Sequence, residues 1–152
     1  MTNAIFRRAR EGDLAAIVQL LTDDVLGRTR EDASEPNSDA YLTAFAAIDS
    51  DPNQLLVVAA DGDEIIGTVQ LSFLPGLSRN GALRGQIEAV RVASSRRGAG
   101  IGRAMIEWAI FECRRRGCRY VQLTSDKSRA DAHRFYEGLG FVASHIGYKL
   151  AV

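Results

Sequence analysis

The sequence predicts an α+β fold. Segments with strand-like apolar runs stand beside segments with helical periodicity, and the two kinds do not follow one another in strict β–α order. A third observation bounds the size. The 152 residues, 46% apolar and 25% charged, suit one globular domain spanning 1–152 and exclude disordered, collagen-like and coiled-coil chains. Such a chain buries about 68–70% of its unfolded surface, enough for a core without disulfide or metal support.

Each element has its own justification. Ile5–Arg8 reads as a first strand. Leu14, Ile17, Val18, Leu21 and Val25 recur at helical spacing, with Glu11 and Asp13 in the first turn, where the helix dipole favours acids. Gly27–Asp39 is polar and aperiodic, a loop. A second helix starts near Ser38, carries Tyr41, Leu42, Phe45 and Ile48 on one face, and stops at Asp51-Pro52-Asn53. Leu55–Ala60 and Ile65–Phe73 are strands joined by the hairpin signal Asp61-Gly62-Asp63. Leu74–Gly85, with Pro75 and three glycines, reads as a mobile connection.

Gln86–Val92 alternates at period two, placing Ile87, Ala89 and Arg91 on one side and Glu88, Val90 and Val92 on the other. A carboxylate beside two valines is partnered, solvated at a sheet opening, or functional. After the loop Ala93–Gly98, a helix runs from Gly100 to Arg116 with Ile101, Met105, Trp108, Ala109 and Cys113 on its apolar face. Gly117 stands where a left-handed C-cap belongs. Tyr120–Thr124 is a strand, Asp131–Leu139 a short helix, and the remainder is extended.

Composition narrows the function classes. Lys+Arg and Asp+Glu are both 19, so no global field draws the chain to nucleic acid or to anionic membrane. No apolar run reaches the ~20 residues of a membrane span, and the N-terminus lacks a signal-peptide core. Cys113 and Cys118 read as buried structural thiols, without metal-site spacing, and no metal is expected. Arg114–Arg116 reads as a solvated helix end. Together these features predict a protein of a reducing, cytoplasmic compartment.

The most informative stretch is Arg96-Arg97-Gly98-Ala99-Gly100-Ile101-Gly102-Arg103, between a strand and a helix. Glycines let successive N–H groups turn towards one point, and the helix N-terminus adds positive partial charge, so the segment suits phosphate. A P-loop needs Lys-Ser or Lys-Thr after its last glycine, which is missing here. The dinucleotide fingerprint needs a small residue where Arg103 or Met105 stands.

Arg97-x-x-Gly100-x-Gly102 resembles the arginine/glutamine-x-x-glycine-x-glycine/alanine signature of the Gcn5-related N-acetyltransferase (GNAT) superfamily. Downstream, Ala132-His133-Arg134-Phe135-Tyr136-Glu137-Gly138-Leu139-Gly140-Phe141 resembles that family's second motif, at family spacing. The resemblance implies a twisted, mostly antiparallel mixed sheet, splayed between its fourth and fifth strands and flanked by about four helices. It further implies an N-acetyltransferase that takes acetyl-CoA as co-substrate and passes the acetyl group to a primary amine of a small molecule.

By the same resemblance, Arg97, Gly98, Ala99, Gly100, Ile101, Gly102 and Arg103 seat the pyrophosphate. Val90, Arg91 and Val92 of a bulged strand pair with the pantetheine arm, and the Val92 N–H faces the developing oxyanion. Glu88 is the implied general base, and Tyr136 the acid for the departing thiolate. Members commonly carry a cofactor-contacting asparagine seven residues before that tyrosine; here the position is Arg129, so the contact is lost or made by a charge, and Arg129 and Tyr136 count among the implied cofactor-binding residues. The run Asp131–Tyr136 with Ser144-His145 looks like the ends of small-molecule members, aminoalkylphosphonate acetyltransferases among them. The short stretch after Phe141 leaves little room for the usual long final hairpin, which points to a homodimer with one wall of the acceptor site from a second subunit. Glu31, Asp32, Glu35 and Asp39 read first as a solvated acidic loop, and second as one that would favour a cationic acceptor.

Overall fold

The computed structural model describes residues 3–152. Strands β1 (Ile5–Arg8), β2 (Gln54–Asp61), β3 (Glu64–Leu74), β4 (Arg84–Val92) and β5 (Tyr120–Leu123) stand in that order in one sheet. The first three neighbouring pairs are antiparallel, and β4 and β5 are parallel. The helical segments are α1 (Leu14–Thr22), α2 (Gly27–Arg30), α3 (Asp39–Ser50), α4 (Ser78–Gly81), α5 (Ile101–Arg115) and α6 (Ala130–Glu137). Of these six, α2 and α4 are single turns, so the four longer ones match the expectation.

The sheet is covered on both faces. On one face, Ile101, Met105, Ile106, Ala109 and Cys113 of α5 pack against Leu55, Val57, Val69, Leu71 and Ile87. On the other, Leu14, Ile17 and Val18 of α1 and Phe45 of α3 close over Leu56 and Val58. Two-sided burial explains why β2 reads as an unbroken apolar run from Leu55 to Ala60 rather than an alternating one. Its turn into β3 pairs Asp61 with Glu64, leaving Gly62-Asp63 as the two-residue loop, with Gly62 at φ +60 in the first position, where glycine is favoured.

Several boundaries differ from the sequence expectation. Helix α1 ends at Thr22, and Val25 is exposed outside it. The expected loop after Gly27 holds the turn α2 instead. A Cβ on Gly27 would lie 1.8 Å from the Leu21 carbonyl oxygen, so only glycine lets this turn rest on α1. The arginines closing α5 are not simply solvated: Arg115 and Arg116 both bond the buried Glu112, holding its carboxyl below the usual range. Arg116 also lies over the Phe73 ring at 4.1 Å. Gly117 takes φ +83, the expected left-handed cap. At Gly85, β4 and α5 approach so closely that a Cβ would stand 2.4 Å from Cys113 Sγ.

Candidate active site

The site begins with a fault in β4. Ala89 has φ +52, and the β3–β4 register slips between Thr68 and Gln70, so Ala89 and Val90 face the single residue Val69. The slip rewrites the faces expected from simple alternation. Cross-sheet rows Leu55–Leu71–Ile87 and Ala59–Gly67–Val92 lie on the α5 side, where Val90 also packs. Rows Leu56–Gln70–Glu88 and Val58–Thr68–Arg91 lie on the α1–α3 side. Glu88 therefore shares its face with Arg91, not with Val90 and Val92. Without the extra residue, Arg91 would point into the α5 core.

Beyond Ile87 and Leu123 the ladder between β4 and β5 stops. A cavity of about 60 Å³ opens there, lined by Ile87–Arg91, Leu123–Ser125, Arg129 and Tyr136. Tyr136 reaches it from α6, its ring edge-on to Phe135 at 5.1 Å and to Phe141 at 5.9 Å. Its carbonyl accepts the N–H groups of Leu139 and Phe141, so the Leu-Gly-Phe ending serves to fix this tyrosine in place. Burial pushes the phenol above its ordinary value, and the nearby positive charges of Arg129 and Arg91 oppose that rise. Val92 is not among the residues lining the cavity; Val90 is.

The glycine-rich segment lies between β4 and α5. Gly98 and Gly100 both take φ +81, a conformation other residues resist, and a Cβ at either would meet no protein atom within 4 Å. Among the described residues, the N–H groups from Gly98 to Arg103 donate to no protein acceptor; the first helical bond is from Ala104 to the Gly100 carbonyl. That row of unpaired donors at the positive end of a 15-residue helix fits a pyrophosphate. Arg97 and Arg103 have protein partners. The Arg97 guanidinium donates to the carbonyls of Val92 (3.2 Å) and Asp23 (2.7 Å), tying the loop to the end of α1. Arg103 pairs with Glu107 at 3.1 Å.

One cluster was invisible in the sequence. Arg91 Nε stands 3.2 Å from Asp24 Oδ2 yet makes no aligned hydrogen bond, and its Nη1 donates to the Val90 carbonyl. Burial lowers the guanidinium's pKa, and the positive charges of Arg129 and Arg30 add to the effect against the pull of Asp24. Arg30 in turn faces Asp126 at 3.8 Å, so the α1–α2 region meets the β5–α6 loop beside the cavity. The acidic loop is partly committed to structure, because Tyr41 donates to Glu31 at 2.7 Å and accepts from the Asp32 N–H at 2.9 Å. Among the described residues, no three His, Cys, Asp or Glu form a metal-ligating group, and no helix is long and apolar enough to cross a membrane.

Known proteins resemble this arrangement. The profile of the acetyltransferase (GNAT) family matches residues 14–141. An aminoalkylphosphonate N-acetyltransferase of Salmonella typhimurium is 31% identical over 119 residues, covering 78% of this chain and 77% of that one. A glucosamine 6-phosphate N-acetyltransferase of Trypanosoma brucei brucei is 40% identical over 79 residues, 52% of each chain. Among solved structures, one described as a transcriptional regulator from Bacillus halodurans C-125 superposes with a TM-score of 0.96 at 48% identity, covering 99% of this chain and 100% of that one. The profile spans most of the length, and the Salmonella relative aligns over more than three quarters of each chain. On both grounds, this chain belongs to the acetyltransferase (GNAT) family.

Proposed function

We propose that the protein transfers the acetyl group of acetyl-CoA to the primary amine of a small molecule by direct attack in a ternary complex. The observation that carries this reading is the split between β4 and β5, where Glu88, the bulge and Tyr136 line one cavity. The free N–H groups from Gly98 to Arg103 take the pyrophosphate, and the backbone at Val90–Val92 receives the pantetheine arm. Holding amine and thioester together supplies the entropic part of the acceleration. Glu88 accepts the ammonium proton, directly or through water, so that a neutral nitrogen attacks. A new C–N bond forms and the C–S bond breaks. The oxyanion falls to a backbone N–H of the bulged segment, that of Val92, with Val90 lining the cavity beside it. Tyr136, kept protonated by burial, gives its proton to the departing thiolate and regains one from the second proton the nitrogen sheds on becoming an amide.

Arg91 lies on the face of Glu88 and faces Asp24, with Arg129 and Arg30, the latter facing Asp126, nearby, so that three guanidiniums gather beside the cavity. Both relatives described above are named for amines that carry a phosphonate or phosphate. Such an acceptor places its oxyanion on these guanidiniums and its amine at Glu88. A thiol-release screen with acetyl-CoA tests this: aminoalkylphosphonates and amino-sugar phosphates should outpace the same amines without the acidic group. Equal rates would remove the oxyanion from the reading, and no thiol release with any amine would remove the enzyme. The description of the Bacillus neighbour as a regulator favours a second reading, a GNAT-fold protein that binds CoA without turnover. Acetyl-CoA binding with no turnover in that screen would establish it.

A further inference from the structure

Two buried side-chain atoms find no hydrogen-bond partner among the described residues, Arg91 Nε and Ser125 Oγ. A polar atom closed off from water and left unpaired is costly, so folded chains hold few of them. Here both belong to residues that line the same cavity, at the split between β4 and β5. Arg91 comes from β4, and Ser125 stands just beyond the end of β5. They share a site but no bond.

The surroundings of both atoms are otherwise well bonded. Beside Ser125, Asp126 Oδ1 accepts the Ser128 N–H at 3.0 Å and the Ser128 hydroxyl at 2.6 Å. The Asp126 carbonyl accepts the Arg129 N–H at 2.9 Å and stands 2.9 Å from His133 Nε2. These bonds hold the loop in one shape, with Ser125 and Arg129 both on the cavity. Arg91 is held as well, because its Nη1 donates back to the Val90 carbonyl at 2.9 Å. The two atoms also match in kind. Arg91 Nε can only donate, and a serine hydroxyl can donate too. Asp24 and Asp126 face Arg91 and Arg30, so the Arg129 charge beside Arg91 and Tyr136 is left unmatched among the described residues. The group that answers two donors and a spare positive charge is an oxyanion with at least two free oxygens.

We propose that Ser125 is an acceptor-binding residue: its hydroxyl and Arg91 Nε each donate to the same tetrahedral phosphonate or phosphate group of the amine substrate. The inference rests on the acceptor reading above and adds to it a residue from the second wall of the split. At about 60 Å³ the cavity is well below the roughly 300–1,000 Å³ of an ordinary small-molecule site, so a substrate widens the split as it binds and brings both atoms into reach. The rows of Glu88 and Arg91 cross β3 at Gln70 and Thr68, two residues and about 7 Å apart. An amine at Glu88 and an oxyanion at Arg91 are therefore parted by a short spacer. Bound in this way, the acceptor links β4 to the loop after β5 and closes the gap that admitted it.

Thiol-release kinetics on the full chain test it, with aminoethylphosphonate against propylamine, a short amine without the acidic group. Ser125→Ala should lower the preference for the phosphonate, as a ratio of kcat/KM values, about tenfold or about 1.4 kcal/mol, mainly through KM. Ser125→Thr, which keeps a hydroxyl, should retain most of the preference. Acetyl-CoA affinity, measured by calorimetry, should hold in both variants. Urea unfolding without substrates adds a readout that a structural serine would move. Because the hydroxyl bonds nothing in the free protein, Ser125→Ala should be no less stable than the wild type, and a clear loss of stability would assign the residue to the fold. A wild-type preference that survives Ser125→Ala would overturn the inference alone. A variant that loses acetyl-CoA affinity instead would also overturn it, in favour of a cofactor contact. Equal wild-type kcat/KM on the two amines, or turnover of neither, would end the acceptor reading and this inference together.

Discussion

Tyr136→Phe separates chemistry from packing. The ring's edge-on contacts with Phe135 and Phe141 survive the change, and the hydroxyl makes no protein hydrogen bond that raises or lowers its ionisation. Stability at neutral pH should therefore move by less than about 1 kcal/mol, the worth of one ordinary hydrogen bond. Turnover should fall by about 10²-fold or more, the scale of general acid catalysis and about 2.7 kcal/mol of barrier. Acetyl-CoA affinity, measured by calorimetry, should hold, because the lost interaction belongs to the transition state. The pH profile adds a second check. Burial raises this phenol above about 10, so the wild-type rate should hold to that pH and then decline. Ionisation above the unfolded value also favours the unfolded chain. Wild type should thus lose stability relative to the Phe variant as pH rises past about 10. A Phe variant that loses cofactor affinity in proportion to rate would refute the acid role, and one with unchanged rate would refute any catalytic role.

Other expectations follow from close contacts and from backbone conformation. Gly85→Ala should cost about 1–3 kcal/mol in urea unfolding, because its Cβ meets Cys113 Sγ at 2.4 Å; adding Cys113→Ala should restore part of that, while additive losses would contradict the contact. Gly100→Val forces a β-branched residue to φ +81 and into the space before the cradle, so acetyl-CoA affinity should drop tenfold or more, about 1.4 kcal/mol, in a folded protein. Burial pushes the Cys113 thiol up to about 12 and raises Cys118 as well, so neither should react readily with a thiol reagent at pH 8 until the chain is denatured. Fast labelling of Cys113 in the native protein would show that the α5 face is looser than described.

The layered α+β architecture was legible because its signals are local: the helical periodicity of α5, the Asp-Gly turn, and the glycines before a helix. The site's most consequential feature, the bulge in β4, was legible only through the family resemblance and not from the residues themselves. Gln86–Val92 looks like a regular strand, and nothing local marks Ala89, a residue that rarely takes positive φ, as the bulge. A parity argument was available, since Ile87, Val90 and Val92 share one side only if a residue is inserted between them. The Arg91–Asp24 pair joins residues 67 positions apart, and the burial of Glu112 beneath its local partners Arg115 and Arg116 is set by how α5 packs. Contacts of that kind depend on the packed chain. Val25 was misplaced for the opposite reason: its spacing fits α1, but the helix stops at Thr22 and the chain turns at Gly27.

The pH dependence of turnover in Glu88→Gln tests the central claim most directly. Glutamine keeps the shape opposite Gln70 but cannot accept a proton. If Glu88 deprotonates the amine within the β4–β5 split, the rate near neutral pH should fall by about 10²–10⁴ and recover in part as free amine accumulates at high pH. Acetyl-CoA affinity should not change. A loss that stays flat across pH would assign Glu88 to positioning, and a variant as fast as the wild type would contradict the account of this site.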